Sequence, residues 1–369
     1  MLVDNQNKEI RLVVNGIECT TWDEASLDSA IDTPADGWSL TLWNPSVGNL
    51  DPRIKAGATA KVYYGKELVL TGIIDNLKDI VGRAGRVINL NGRDLAGQLL
   101  DCSVPIFNGK QLTLQELVNR YVKDGNLASL FNKFEIQNTS WLKNKVSVEP
   151  GESIWDSLVK AAQVTGQHIW LEANGTLVVG DPFASSYQVQ TALTLMSYGK
   201  DNNVINAEYD EDVSQVFTDI QILSQDSDAN KILAEGSSST PYSYQRLKLV
   251  TSGEVENQAE AQALLNKVIH DNDLEAYTLN CDVAGWLIDG KVWQTGCTVN
   301  FQSDALLRAN AKWVVMGRTL TLSRNNGKTT RLKLKRQGDW AQPLKLKQEQ
   351  PKQQKKKTQK QKQSEASHD

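Results

Sequence analysis

Few residues in this sequence have the types and spacing that chemistry requires. The segment Asn326-Gly327-Lys328-Thr329 ends like a phosphate-binding loop, in which backbone amides and a lysine surround phosphate groups. The glycine that opens such a loop is missing, and the alternating residues 331–335 predict a strand where the loop would need a helix. We therefore predict a hairpin turn at this segment and no bound nucleotide.

Metal and acid–base sites need histidine, cysteine or carboxylate side chains that converge. The histidines His168, His270 and His368 are widely separated, and His168, just before a strand, is predicted to be packed or half exposed. The acidic run at 210–212 (DED) lacks the spacing of a calcium loop and is interpreted as a solvated turn. The two carboxylates of a glycan-cleaving site come together only in the folded protein, so they have no characteristic spacing along the sequence. The sequence therefore predicts no catalytic residue, no metal site and no cofactor.

The cysteines give no sign of a disulfide framework or a zinc site. They are four in number and widely separated, without a C-x-x-C pair: Cys19, Cys102, Cys281 and Cys297. We predict buried, reduced thiols in a protein that is made in a cytoplasm.

Charge is distributed unevenly along the 369 residues. The formal net charge is −4, yet the segment 341–369 holds eight lysines against three acidic residues and is rich in glutamine. With almost no apolar side chains to bury, this basic tail is predicted to be disordered. It is either a solvated extension or an electrostatic contact with DNA or an acidic protein. No apolar run is long enough to span a membrane and residues 1–8 carry no secretion signal, so we expect no membrane insertion.

The elements that surround these residues are mostly strands. In the first hundred residues, apolar and polar side chains alternate in short runs, which is typical of half-buried strands. Turn sequences separate the runs, at Asn15-Gly16, at 64–66 (YGK) and at 83–85 (RAG). Strands at this spacing predict an all-β barrel or sandwich over residues 1–105.

Residues 106–190 predict a small inserted α+β domain. The sequence TLQE at 113–116 is a capping box, which begins one helix. A second helix is predicted after Ser153, with Gly166 as a candidate C-terminal cap, and NG at 174–175 predicts a hairpin.

Residues 191–340 return to strand patterns and predict a second strand-rich domain. One amphipathic helical insertion is predicted near 256–271, with Asn257 as a candidate cap. The expected fold class is therefore α+β and mainly β, with two similar strand-rich domains, an inserted α+β domain and the disordered tail 341–369.

The two strand-rich regions resemble each other, which indicates an internal repeat. The segments that begin at Gly57 and Gly296 share a strand pair, a glycine-centred turn and an alternating strand. The aligned residues are Gly72 with Gly317, Gly82 with Gly327 and Arg86 with Arg331, each 245 residues apart. Because the segment starts are 239 apart, the later hairpin is predicted to carry about six extra residues.

A weaker match relates residues 22–44 to residues 207–225. Chance similarity between two amphipathic β regions is the alternative explanation. A true duplication has a geometric consequence, because three chains with two equivalent barrels can form a ring of six similar units.

Several segments together resemble one protein family, the Mu-like phage baseplate hub proteins. They are NGRDLAGQLLDCS at 91–103, LTLQELVNRY at 112–121, PGESIWDSLVKAAQVTGQHIWLEANGTLVVGDP at 150–182, and the stretch from VWQTGCTV at 292 to TTRLKLKRQGDW at 340. The resemblance covers roughly residues 8–340, and the basic tail is not part of it.

The resemblance implies a structural, non-enzymatic homotrimer with two tube-like barrels per chain, similar to the hub of T-even phages and of type VI secretion spikes. Its implied partners are the central spike, the tail tube, other baseplate proteins and DNA that passes through a channel without specific binding. The implied location is the virion tail baseplate, assembled in the host cytoplasm. A cell-wall-degrading tail enzyme and a nucleic-acid-binding protein that acts through the basic tail are the alternatives.

The residues Gly92, Arg93, Asp94 and Asp101 form the most specific part of the resemblance. We interpret them as a structural signature, in which Arg93 and Asp94 form an ion pair or a cap at the start of the helix that follows. A direct contact with a neighbouring subunit is the alternative interpretation.

Overall fold

The computed structural model describes residues 9–43, 50–105, 111–124, 127–136, 145–163, 167–182, 187–199, 201–224, 232–239, 242–252, 255 and 258–336. The basic tail 341–369, with His368, and the predicted caps Gly166 and Asn257 lie outside these residues.

The first part of the chain forms seven strands, in agreement with its alternating pattern. They are β1 (Ile10–Val14), β2 (Ile17–Cys19), β3 (Glu24–Ala30), β4 (Gly37–Trp43), β5 (Thr59–Tyr64), β6 (Glu67–Gly82) and β7 (Gly85–Asp94). All three turn sequences lie between paired strands, so the predicted hairpins are confirmed.

The middle part has its own apolar core. Its elements are α1 (Ala96–Asp101), β8 (Gln111–Thr113), α2 (Leu114–Val118), β9 (Lys133–Ile136), β10 (Lys145–Ser147), α3 (Ile154–Gln163), β11 (His168–Leu171) and β12 (Thr176–Gly180). The capping box is confirmed, because the Thr113 hydroxyl accepts from the Glu116 amide and the Glu116 carboxylate accepts from the Thr113 amide. α2 continues as one π-helical turn, and α3 begins just after Ser153 as predicted.

The last part contains the remaining strands and the longest helix. They are β13 (Leu193–Leu195), β14 (Val204–Glu211), β15 (Asp219–Ser224), β16 (Ile232–Ser237), β17 (Leu247–Ser252), α4 (Gln258–Glu275), β18 (Tyr277–Ala284), β19 (Leu287–Ile288), β20 (Lys291–Val292), β21 (Thr298–Ser303), β22 (Ala311–Ser323) and β23 (Gly327–Arg336). The turn predicted at Asn326-Gly327 joins β22 to β23, so that interpretation is confirmed. The acidic run is exposed as predicted, but Asp210 and Glu211 end β14, so the predicted turn is wrong.

The predicted helical insertion is larger than its sequence pattern indicated. α4 packs on a separate three-stranded sheet, in the order β16-β15-β17, around Ile220, Ile222 and Leu265. β15 therefore does not correspond to β4, and the second half of the weak match between 22–44 and 207–225 is wrong. The alternating pattern of β15 fits both sheets equally well, so it could not reveal which one the strand joins.

One strand order occurs twice in the main sheet. The first copy runs β3-β4-β7-β6-β5 and the second runs β14-β18-β23-β22-β21. In both copies the central hairpin has a bulge in its first strand, between Ile74 and Asn76 in β6 and between Val315 and Gly317 in β22. The strand pattern therefore supports the internal repeat.

The register of the repeat differs from the sequence alignment. Thr59, which pairs with Ile73, is equivalent to Thr298, which pairs with Val314. Equivalent residues are therefore 239 apart in the first strand of the hairpin (β5 and β21) and 241 apart in its second strand (β6 and β22). The later hairpin is thus two residues longer and not six. The offset of 245 is wrong because it matches Gly72, before one bulge, with a glycine that follows the other bulge.

The two copies are joined edge to edge in one sheet. β22 pairs antiparallel with β3 from Gly317 opposite Ala30 to Leu322 opposite Ala25. At the middle of this joint Leu320 lies opposite Leu27, and both side chains are fully buried. The strands of both copies belong to one 13-stranded sheet, and no closed barrel is detected among the described residues, so the two tube-like barrels expected from the sequence are not confirmed. The mainly β, α+β class is confirmed.

The main sheet has one apolar and one polar face. Leu27, Leu40 and Leu332 lie in the principal core, whereas Asp282 and Arg331 form a cross-strand ion pair on the other face, with 2.9 Å between the Arg331 Nε and the Asp282 Oδ1. Such alternation is typical of an antiparallel sheet with one face turned away from the core.

Candidate functional site

The signature residues lie where the first strand copy meets α1. Gly92 is required there by a close approach of two strands, because a Cβ at this position would lie 1.9 Å from the Ile73 carbonyl oxygen. It would also lie 3.0 Å from the Trp38 ring. β6 and β7 can therefore pair with their observed register only if residue 92 has no side chain.

Arg93 joins three elements through its guanidinium group. Its Nε lies 2.9 Å from the Asp75 carboxylate, at the bulge of β6, and its Nη2 lies 2.6 Å from the Asp101 carboxylate, at the end of α1. These hydrogen bonds raise the pKa of Arg93 and lower that of Asp101. Because the ion pairs are partly exposed, they orient α1 more than they stabilise the fold. Arg93 does not pair with Asp94, contrary to one form of the signature interpretation.

Asp94 acts locally at the start of α1, as the other form of that interpretation expects. Its Oδ1 accepts a hydrogen bond from the Ala96 amide at 3.0 Å. The carboxyl group is buried, and this burial, together with the nearby carboxylate of Asp36, raises the pKa of Asp94 to about 8. At neutral pH Asp94 is therefore largely protonated, which lowers the cost of its burial.

A cavity of about 440 Å³ lies beside Asp94 between the two strand copies and the inserted α+β part. Asp36 and Arg318 also line it, and Arg318 is buried so deeply that its pKa is lowered. The Nε and Nη1 atoms of Arg318 have no hydrogen-bond partner among the described residues. Thr71, in the same wall, donates a hydrogen bond to the Ala173 carbonyl at 2.7 Å and so ties β6 to the inserted part.

The sequence reasoning missed Asp36 and Arg318. Arg318 carried a signal, since it occupies a core-facing position of the apolar strand β22, where arginine is rarely buried without a charge nearby. Asp36 follows a turn and carried no comparable signal. The two side chains come from different strand copies, so only the joint between β22 and β3 brings them together.

The remaining candidate residues form no reactive constellation in the described part of the chain. Burial raises the pKa of Cys281 to about 12 and that of Cys297 to about 11, so these thiols are protonated and unreactive. Cys19 and Cys102 are free as well but only half buried, which corrects the prediction of four buried thiols. His168 lies half buried in β11. No three metal-binding side chains converge among the described residues, and none of the described helices could span a membrane.

Solved structures define the class of protein to which this fold corresponds. A tail protein from Neisseria meningitidis MC58 superposes with a TM-score of 0.76 at 29% identity, over 90% of this chain and 98% of that one. The c3393 protein of E. coli, a type VI secretion component with similarity to the T4 tail proteins gp27 and gp5, shares the fold at 12% identity, with a TM-score of 0.56. That match covers 91% of this chain and 79% of the other. The fold is thus shared with phage tail proteins and with a component of the type VI secretion system.

Family comparisons are more specific. Residues 9–94 match the N-terminal domain of the Mu phage baseplate assembly protein GpP-like family, and residues 96–181 match the second domain of the baseplate hub protein gp44-like family. Residues 271–338 match the C-terminal domain of a tail protein family. The baseplate hub protein gp44 of Escherichia phage Mu is 20% identical over 339 residues, 88% of this chain and 87% of that protein. The chain is therefore a baseplate hub or tail protein of the Mu-like phage type, and the resemblance seen in the sequence is confirmed.

Proposed function

We propose that the chain is a non-enzymatic trimeric adaptor that joins the sixfold tail tube to the threefold central spike. The observation that carries the proposal is the strand order that occurs twice in one polypeptide. Three such chains present six similar strand units, so the same ring can meet a sixfold partner on one side and a threefold partner on the other.

We propose the following division of the adaptor into domains. Residues 1–105 and 191–340 supply the two tube-like units, residues 106–190 form the inserted domain, and 341–369 is an extension of open role. The position of α1, which packs in the core of the inserted part, favours a first boundary close to Asp94. The proposed location is the virion tail baseplate, with assembly in the host cytoplasm before incorporation.

The polar face of the main sheet is the proposed wall of the DNA channel. Asp28, Glu208 and Asp282 lie on strands that alternate between this face and the core, which supports a lining that repels DNA and prevents its adhesion. Arg331 offsets part of this charge through its ion pair with Asp282. The electrostatic potential along the axis of an assembled ring tests the idea, because a strongly basic wall would contradict it.

Mass measurement of the purified full-length chain, alone and with its spike protein, tests the adaptor. The expected result is a particle with three copies of this chain, formed either alone or when the spike is added. A chain that stays monomeric in both samples would refute the proposal.

Two further measurements separate the adaptor from its alternatives. Incubation with peptidoglycan is expected to release no product, whereas a cell-wall-degrading enzyme would release soluble fragments. Truncation after Trp340 is expected to leave trimer formation intact. If the only measurable activity were salt-sensitive DNA binding that is lost with the tail, a nucleic-acid-binding role would replace the adaptor.

A further inference from the structure

Besides the outer edges of the short strands β2 and β13, two edges of longer strands in the main sheet have no strand partner in the described part of the chain. One is the outer edge of β14, which pairs only with β18. The other is the outer edge of the second half of β6, since β5 pairs with β6 only as far as Ile73. Unpaired edges present rows of amide and carbonyl groups that can accept another strand.

These two edges are the counterparts of the joint that is already formed between the strand copies. β6 corresponds to β22 and β14 corresponds to β3, so β6 and β14 are the equivalent pair. Ala25 lies opposite Leu40, and at the equivalent place in the second copy Ala207 lies opposite Cys281. The register of the formed joint can therefore be transferred residue by residue to the free edges.

Exposure differs in the way that a missing partner predicts. Leu320 is fully buried and Leu322 half buried in the formed joint, whereas their equivalents Asp79 and Val81 are exposed. Val81 is 76% exposed and its neighbour Ile80 is 46% exposed. Exposed β-branched side chains at a strand edge are unusual in an isolated protein, because they favour pairing with another chain.

We propose that β6 of one copy pairs antiparallel with β14 of a second copy, in the register of the β22–β3 joint. The transferred pairs place Val81 opposite Ala207 and Lys78 opposite Asp210. The second pair is complementary in charge, and both of its side chains are exposed in the single chain. The pairing rests on the trimeric adaptor proposed above and adds to it the strands through which the copies meet.

The partner is another copy of this chain and not a different part of the same molecule. No pairing between β6 and β14 occurs within the described part of the chain, where both edges remain open. The formed joint already shows that this sequence accepts such a contact between one unit of each type. Repetition of the joint between copies would use both of these edges in every chain, so three copies could close into a ring through identical joints.

Disulfide trapping tests the register. The double variant with Lys78→Cys and Asp210→Cys, treated with oxidised glutathione, is expected to form covalent trimers on a non-reducing gel. The matched control combines Lys78→Cys with Glu211→Cys, whose side chain lies on the opposite face of β14, and is expected to remain unlinked. Each single variant reports on background linkage through the four native cysteines.

The outcomes separate this inference from the proposed function. Covalent trimers in the first double variant alone support the strand joint. A particle with the mass of a trimer, but with no linkage or with equal linkage in the control, overturns the joint and leaves the adaptor standing. A chain that is monomeric with and without the spike overturns both.

Discussion

Gly57 and Gly296 occupy the same position in the two copies of the strand pattern. The Gly57 amide donates to the Ile74 carbonyl at 2.8 Å, and the Gly296 amide donates to the Val315 carbonyl at 2.7 Å. Their φ angles, +84° and +82°, are also nearly equal. Each glycine precedes the first strand of an equivalent hairpin, so the same backbone conformation and the same hydrogen bond occur in both copies.

A comparison of Gly57→Ala with Gly296→Ala separates the cost of backbone strain from the cost of a steric overlap. Both substitutions force alanine into a left-handed conformation, which costs about 1 kcal/mol. Only at Gly296 would the new Cβ also meet another atom, the Pro182 carbonyl oxygen, at 2.8 Å. We expect Gly57→Ala to lower the free energy of unfolding by about 1 kcal/mol and Gly296→Ala to lower it clearly more, as measured by urea denaturation. Equal losses would contradict the assignment of the contact.

Gly92→Ala is expected to be among the most damaging small substitutions. The Cβ would overlap the Ile73 carbonyl, so the paired strands would have to separate, at a cost of about 3 kcal/mol or more. Gly82→Ala, in open space at the end of the same hairpin, is the matched control and should change stability by less than about 1 kcal/mol. Thermal and urea unfolding of both variants provide the comparison, and similar stabilities would disprove the close approach.

Asp94→Asn tests the raised pKa. Burial raises the pKa of Asp94 from its ordinary value of 3.8 to about 8, so the folded state holds a proton that the unfolded state has already released. The contribution of Asp94 to the free energy of unfolding is therefore fully present below pH 3.8 and is lost as the pH rises to about 8. Asparagine does not ionise, so the stability of the variant relative to the native chain should increase with pH, by on the order of 1 kcal/mol per unit between pH 5 and 8.

Asp101→Asn is the control for that measurement. The ion pair with Arg93 lowers the pKa of Asp101, so its titration occurs below its ordinary value. Its effect on the free energy of unfolding should therefore be constant from pH 5 to 8. If both variants gave flat differences over this range, Asp94 would not hold a proton at neutral pH.

Leu27→Ala tests whether the joint between the two strand copies stabilises the whole sheet. Leu27 is fully buried against Leu320, and truncation of such a side chain typically costs about 2–5 kcal/mol. The expected result is a lower unfolding midpoint with a single transition, since both copies share one core. Leu307→Ala, at a position that is 70% exposed, is the control and should have little effect. A second transition that appears in Leu27→Ala would show that the copies unfold independently.

Local features of the fold could be predicted from the sequence, because they depend on neighbouring residues. The turns at Asn15-Gly16 and Asn326-Gly327 and the capping box at Thr113 follow from short-range backbone preferences. The edge-to-edge joint of β22 with β3 could not be predicted, because alternation shows which face of a strand is buried but not which strand lies beside it.

The candidate site was predicted only where its residues are close in sequence. Arg93, Asp94 and Asp101 lie within one short segment, and their placement around α1 agrees with a structural role. Asp36 and Arg318 lie in different strand copies and meet only in the folded chain. Asp75 lies at a bulge, and a bulge leaves no reliable trace in the alternation of side chains.

The insertion of β15–β17 and α4 follows β14, whereas the equivalent place after β3 in the first copy is a short turn. In an assembly of six identical chains, any such addition would be repeated six times. A doubled chain is free of this constraint, because its two halves are separate stretches of one gene and can change independently. The sheet strands can therefore keep a shared geometry while one half alone acquires additional structure, which in the proposed trimer would lie at alternate positions around the axis.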